Sequence, residues 1–180
     1  SEKKLFKPIL VEYSDANNTD YKENRPVYLS ISLLNEFDGP KLVKKFIWDL
    51  ADRDNLSTSV NSVKIANEIE RHDFAVQAGK ILYYNHTILD PLSFPQIERP
   101  EFGKIIFPEQ SLIHSVIRQE SQFDPKAGSY AGAKGLMQLM PYTAKRVSKG
   151  LKLEYTKSKL TEDPKYNVIL GSAYLDKLLS

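Results

Sequence analysis

Residues 117–144 read IRQESQFDPKAGSYAGAKGLMQLMPYTA, and the parsing of this stretch decides the fold. Its first residues close an apolar periodicity. Leu112, Ile113, Val116 and Ile117 recur at the steps of three and four that mark an amphipathic helix. Ile113, Val116 and Ile117 share a face, and the same steps carry Glu120 onto it. Burying a carboxylate charge without a partner is costly, so an apolar setting is expected to raise its pKa, as a general acid near neutral pH requires. The alternative is a glutamate at a frayed helix end that simply reaches water. Ser121, then Asp124 before Pro125, end the helix, because the residue before a proline is pushed out of the α region.

Beyond Pro125 the composition changes. Gly128, Gly132 and Gly135 alternate with Ala127, Ala131 and Ala133. This suits a loop folded against the Glu120 helix, or one that lets a ligand lie against its main chain. Then comes an apolar run, Leu136, Met137, Leu139 and Met140, broken by Gln138. An amide that both donates and accepts, beside a soft thioether, suits a sugar ring. A core segment with one satisfied amide is the plainer alternative.

The pattern Glu120-Ser121, Phe123, Pro125, Ala127, Ser129, Gly132-Ala133, Gly135-Leu136-Met137-Gln138, Met140-Pro141 and Thr143-Ala144 resembles the signature of soluble lytic transglycosylases. Asp163-Pro164, Asn167, Leu170-Gly171 and Tyr174-Leu175 match that family's next helix, so the resemblance runs from about 105 to 180. It implies an all-α protein with a goose-lysozyme-like catalytic domain that cleaves the glycan strands of peptidoglycan in the bacterial periplasm, with no cofactor. By matching position, Glu120 would be the single acid and base. Ser129, Gln138 and Met140 would contact the sugars, and Ser121 would help orient Glu120. In the family a segment with a Tyr-Asn-Ala-Gly motif follows and closes the cleft. These 180 residues lack it, so the chain is expected to be a fragment cut inside its catalytic domain, its own activity an open question.

Most glycosidases use two carboxylates. Asp124 is the only other acid near Glu120, and before Pro125 it is best read as a turn residue. The resemblance supplies a one-acid route. Glu120 protonates the oxygen between N-acetylmuramic acid and N-acetylglucosamine. It then deprotonates the muramic 6-hydroxyl, which closes a 1,6-anhydro ring.

Composition describes an ordinary soluble chain, 41% apolar and 27% charged, with a net charge of +2. Residues 1–100 carry a balance of −2 and residues 101–180 one of +4. That suits an anionic polymer, whereas the lack of an arginine-rich stripe argues against nucleic acid. There is no cysteine, which excludes disulfides and thiolate metal sites. His72, His86 and His114 have no metal-ligand spacing, so no metal is expected. No apolar targeting or membrane-spanning segment is present, and the initial Ser suggests a processed chain.

The first half carries no motif. Residues 1–22 lack periodicity, and 15–20 reads as loop. Between Arg25 and Phe37, Val27, Leu29, Ile31 and Leu33 alternate like a strand, while Val27, Ile31 and Leu34 fit a helix. Asn24 as a cap before Pro26 favours the helix. After a break at Asp38, Gly39 and Pro40, Leu42, Val43, Phe46, Ile47 and Leu50 predict a second helix. Past Asp54 and Asn55, Leu56, Val60 and Val63 on one face and Ile65 and Ile69 on another predict a third, packed between neighbours. Phe74, Ala78, Ile81 and Leu82 predict a fourth. The expectation is a superhelix-like array of α-hairpins over 1–90, by analogy the end of the superhelix of larger family members. A proline-punctuated extended linker over 91–104 would join it to an incomplete lysozyme-like domain over 105–180. A free-standing helical module that binds a protein partner is the alternative for this half. In the second half, 143–149 predicts a helix ended by Gly150, 151–161 a loop, and Asp163 the cap of a last helix in which Gly171 marks a close crossing. For the whole chain, the rivals to a transglycosylase are a non-catalytic peptidoglycan-binding scaffold and a hydrolytic muramidase on the same fold.

Overall fold

The computed structural model describes residues 9–11, 25–37, 40–52, 55–85, 87–89, 91–98, 100–103, 105 and 107–180. The loop expected at 15–20, the cap at Asn24, the break at Asp38 and Gly39, Asp54 and His86 lie outside them. The chain divides into two units, Ser1–Pro95 and Gln96–Ser180.

In the first unit, α1 (Arg25–Phe37) settles the strand–helix ambiguity in favour of the helix. Ile31 is fully buried and Val27 and Leu34 pack beside it, whereas Leu29 and Leu33 of the alternating set face solvent. In α2 (Pro40–Ala51), Val43, Ile47, Leu50 and Ala51 reach the core, and Phe46 is partly exposed. α3 (Leu56–Glu68) starts on Asn55, whose side-chain oxygen accepts from the Thr58 N–H at 3.0 Å. It packs against both α2 and α4 (His72–Tyr84) and is buried around most of its circumference, as its two apolar faces require. The turn from α3 to α4 uses Glu70 at φ 58°. Arg71 then clamps the buried Asp73 through two bonds, 2.9 and 2.6 Å, and lies 3.6 Å over the Phe74 ring.

Two features depart from the sequence reading of this half. β1 (Ile9–Val11) lies within the aperiodic 1–22 segment and pairs in parallel with β2 (Thr87–Leu89), Ile9 opposite Thr87 and Val11 opposite Leu89. Three residues are too few to show a period of two. The proline-rich segment is not simply extended either. Residues 91–94 form a turn, with the Phe94 N–H donating to the Pro91 carbonyl at 2.8 Å. Asn67 donates to the Leu92 carbonyl at 2.8 Å, and Ser93 is buried against Gly79, so this turn belongs to the first unit.

The second unit contains α5 (Gln110–Glu120), α6 (Pro141–Gly150), α7 (Lys159–Glu162) and α8 (Pro164–Leu179). Leu139, Ala144, Leu160, Tyr166 and Leu170 form its core. The single turn α7 overlaps the end of the loop expected over 151–161. It is too short for a periodic signal, yet it delivers Leu160 to full burial. Asp163 caps α8 by accepting from the Tyr166 N–H at 2.9 Å, with Pro164 in the first turn. The fold is therefore all-α apart from one three-residue strand pair among the described residues.

Ile47 is fully buried and Leu33 is 56% exposed. Ile47→Ala is expected to cost about 2–5 kcal/mol in urea unfolding followed by circular dichroism. Leu33→Ala should stay within about 0.5 kcal/mol. Equal effects would mean that the first unit is not packed as described.

Candidate active site

α5 places Glu120, but not where its spacing pointed. The buried face of the helix runs through Ile113 and Ile117, and the next step of four lands on Ser121, which is 8% exposed. Glu120 continues the neighbouring row from Val116, which is half-buried at Val116 and exposed at Glu120. The apolar environment expected around Glu120 is therefore absent. Its carboxylate has no hydrogen-bond or ion-pair partner among the described residues. Beside it in the last turn, Arg118 is half-buried, and burial pulls its guanidinium below the ordinary range. Ser121 does not reach Glu120 either. Its hydroxyl donates to the Ile117 carbonyl at 3.1 Å, and its N–H is bonded there at 3.0 Å. What Ser121 fixes is the end of the helix.

The chain then turns sharply through two residues of left-handed conformation, Gln122 at φ 55° and Phe123 at φ 68°. Neither is glycine, so the turn is strained. Its compensation is burial of Phe123, 6% exposed, beside the His114 ring at 6.2 Å. His114 also receives the Ile97 N–H at 3.1 Å, while Gln110 donates to the Ile97 carbonyl at 2.7 Å, which fastens the incoming segment to α5. Asp124 accepts from the Lys126 N–H at 2.8 Å, an Asx turn that occupies its carboxylate in local structure.

Residues 127–140 form a short ribbon held by two isolated antiparallel bridges. Lys134 is the middle, paired antiparallel with Gly128 on one side and Leu139 on the other. At one end, the Gly135 N–H donates to the Ala127 carbonyl at 2.8 Å, and Gln138 Nε2 donates to the carbonyls of Ala127 at 3.2 Å and Gly135 at 2.9 Å. Gln138 holds φ 45°, and its side-chain oxygen is left without a partner among the described residues. At the other end, the Ser129 hydroxyl oxygen accepts from the Ala133 N–H at 3.0 Å, so Ser129 is an exposed turn residue whose own proton remains available. Met140 follows, 44% exposed. The ribbon thus joins Ser129, Gln138 and Met140, with Ala127 linking it to Glu120 seven residues upstream.

The residue that anchors this ribbon is Asn167, whose role cannot be read from its neighbours in sequence. It is fully buried on α8. Its Oδ1 accepts from the Met137 N–H at 2.9 Å, and its Nδ2 donates to the carbonyls of Lys134 at 2.9 Å and Leu160 at 3.0 Å. Gly135, at φ 75°, passes so close that a Cβ there would overlap the Leu160 carbonyl oxygen and the Asn167 amide. Gly171 lets the Met137 side chain lie directly on α8. The close approach is to this loop, not to another helix. An apolar hollow of about 250 Å³, lined by Ile97, Pro100, Leu136 and Val168 among others, lies elsewhere in the unit and includes neither Glu120 nor Gln138.

Comparison with known proteins fits this geometry. Residues 108–180 match the model of the transglycosylase SLT domain. These residues belong to that domain family. Across the whole chain, the crystal structure of the 70 kDa soluble lytic transglycosylase of Escherichia coli superposes with a TM-score of 0.70 at 25% identity, covering 98% of this chain and 28% of that one. The membrane-bound lytic murein transglycosylase C of Haemophilus ducreyi is 31% identical over 162 residues, 81% of this chain and 43% of its own. The soluble lytic murein transglycosylase of Escherichia coli is 38% identical over 87 residues, 47% of this chain and 13% of its own. The chain spans less than half the length of these relatives. The SLT domain and the superposition also carry the all-α, lysozyme-like assignment.

Asn167→Ala would strand the Met137 N–H and two carbonyls in a buried setting, at a cost of about 2 kcal/mol or more. Hydrogen exchange at the Met137 amide is expected to accelerate before that of α6. Unchanged protection at Met137 would remove Asn167 from this role.

Proposed function

We propose that this protein is a peptidoglycan lytic transglycosylase of the bacterial cell envelope, acting in the periplasm through Glu120 alone. The observation that carries this reading is chemical. Within the SLT domain, Glu120 is an exposed, unpartnered carboxylate, whereas the neighbouring Asp124 is taken up by the Lys126 N–H. One free acid suits a route that uses the same group twice. With a sugar seated over it and water excluded, Glu120 in its protonated form gives its proton to the oxygen linking N-acetylmuramic acid to N-acetylglucosamine, and the C1–O bond breaks. The resulting carboxylate takes the proton of the muramic 6-hydroxyl as O6 closes on C1. The proton count balances, no water is consumed, and the product ends in a 1,6-anhydro ring. The substrate's N-acetyl group would stabilise the anomeric centre during the exchange.

Around this step the ribbon supplies sugar contacts. The free side-chain oxygen of Gln138 accepts from a sugar hydroxyl or amide, the Ser129 hydroxyl donates, and the exposed Met140 thioether offers apolar surface to a ring. Ser121 acts indirectly, by ending α5 where Glu120 must stand. The net positive balance of residues 101–180 favours a polymer that carries peptide carboxylates. None of the described helices is long and apolar enough to cross a membrane. The helices of the first unit are free to serve a protein partner.

Purified peptidoglycan incubated with the protein is expected to release muropeptides one water lighter than hydrolysis products, as read by mass spectrometry. Glu120→Gln should reduce release at least about a hundredfold, with circular dichroism unchanged. Products of ordinary hydrolytic mass would make the protein a muramidase. Binding to sacculi without any release would make it a docking scaffold.

A further inference from the structure

The ribbon and the start of α6 carry two aromatic side chains, Tyr130 and Tyr142, that lie between the signature residues and that the mechanism above does not use. Tyr130 is fully exposed, with a relative accessibility of 109%, and Tyr142 is 77% exposed. Their positions follow from the register. Lys134 and Leu139 exchange both backbone hydrogen bonds at 3.0 Å, which sets Ala133 beside Met140. Gly128 pairs with Lys134, and the Ser129 N–H donates to the Ala133 carbonyl at 3.0 Å, which sets Ser129 on the other side of Ala133. Ser129, Ala133 and Met140 therefore form one end of the ribbon. Tyr130 is the next residue after Ser129, and Tyr142 lies two beyond Met140.

Both tyrosines stand on braced backbone. The turn bearing Tyr130 is closed by the Gly132 N–H on the Ser129 carbonyl at 3.0 Å and by the Ala133 N–H on the Ser129 hydroxyl at 3.0 Å. Tyr142 sits in the first turn of α6 behind Pro141, with Ala144 and Ser148 taking the buried face of that helix. Folding therefore gains little from either ring. A single exposed aromatic is ordinary. Here Tyr130 and Met140 are exposed at one end of the ribbon that presents Ser129 and Gln138, and Tyr142, also exposed, opens α6 two residues after Met140.

We propose that Tyr130 and Tyr142 extend the glycan-binding surface, each ring stacking on the apolar face of an N-acetylated pyranose in the strand held by Ser129, Gln138 and Met140. The inference rests on the function proposed above and goes further, by assigning two specificity-determining positions. The chemistry is direct. A pyranose presents a face of axial C–H groups, and a tyrosine presents a flat apolar ring with a polar tip that stays in water, at the entropic cost of only two side-chain torsions.

The test is an NMR titration of the protein with the β-1,4-linked tetramer of N-acetylglucosamine, with tyrosine ring signals assigned through Tyr130→Phe and Tyr142→Phe. The ring signals of both tyrosines are expected to shift together with the Gln138 amide. Tyr130→Ala and Tyr142→Ala should each weaken binding roughly three- to tenfold. Tyr83→Ala, at an exposed position in the first unit, should leave it unchanged. A saturable shift at Gln138 with silent tyrosine rings and unaltered affinity in the alanine variants would overturn this inference and leave the proposed function standing. No shift anywhere with millimolar tetramer would overturn both.

Discussion

The second unit depends on one buried amide. Asn167 has three of its hydrogen-bonding positions engaged, one to the Met137 N–H and two to the carbonyls of Lys134 and Leu160. In a low-dielectric interior such bonds are strong when complete and costly when one is missing. The arrangement therefore tolerates little displacement. It joins α8 to α7 through Leu160 and to the ribbon through Lys134 and Met137. Lys134 is the middle of that ribbon, so the places of Ser129, Gln138 and Met140 follow from an amide that touches none of them. Gly135 and Gly171 are the steric counterpart, since each allows a surface to come closer than a side chain would permit.

Strain is stored where this scaffold can hold it. Among the described residues, five that are not glycine have positive φ, and Gln122, Phe123 and Gln138 of these lie in the 117–144 stretch. Each costs on the order of 1–3 kcal/mol and persists only where its surroundings impose it. The compensations are specific. Phe123 buries its ring, and Gln138 ties its side-chain nitrogen to two carbonyls of the ribbon. Gln122 and Phe123 come just after Glu120 and Ser121, and Gln138 is the amide whose side-chain oxygen has no partner among the described residues. Side chains that the proposed function uses thereby sit on constrained backbone, as a preorganised site requires.

The legible parts of the sequence were those governed by period or by a short-range bond. Val27, Ile31 and Leu34 define the buried side of α1, and Asp163 with Pro164 starts α8 as its chemistry requires. The illegible parts depend on partners distant in sequence. Asn167 lies 30 residues from the N–H it receives. β1 and β2 are three residues each and find one another across most of the first unit. At Glu120 the error came from the period itself. Steps of three and four admit both Glu120 and Ser121 to the face of Ile117, and only the end of the helix decides that Ser121 goes inside. A carboxylate on an apolar helix side was thus resolved by rotation, not by burial.

That resolution bears on what kind of substrate the site can serve. Small-molecule sites enclose most of their ligand within an apolar concavity. The apolar hollow lined by Ile97, Pro100, Leu136 and Val168 includes neither Glu120 nor Gln138. Of the residues that the proposed function uses, Glu120, Ser129 and Met140 are exposed, at the end of α5 and along residues 127–140. The substrate of the function proposed above is a continuous glycan strand, which an open surface admits more readily than an enclosed cavity does. An exposed acid at the end of α5 suits that approach. Glu120 at an exposed helix end, the alternative that its sequence also allowed, leaves room for the polymer that the proposed function requires.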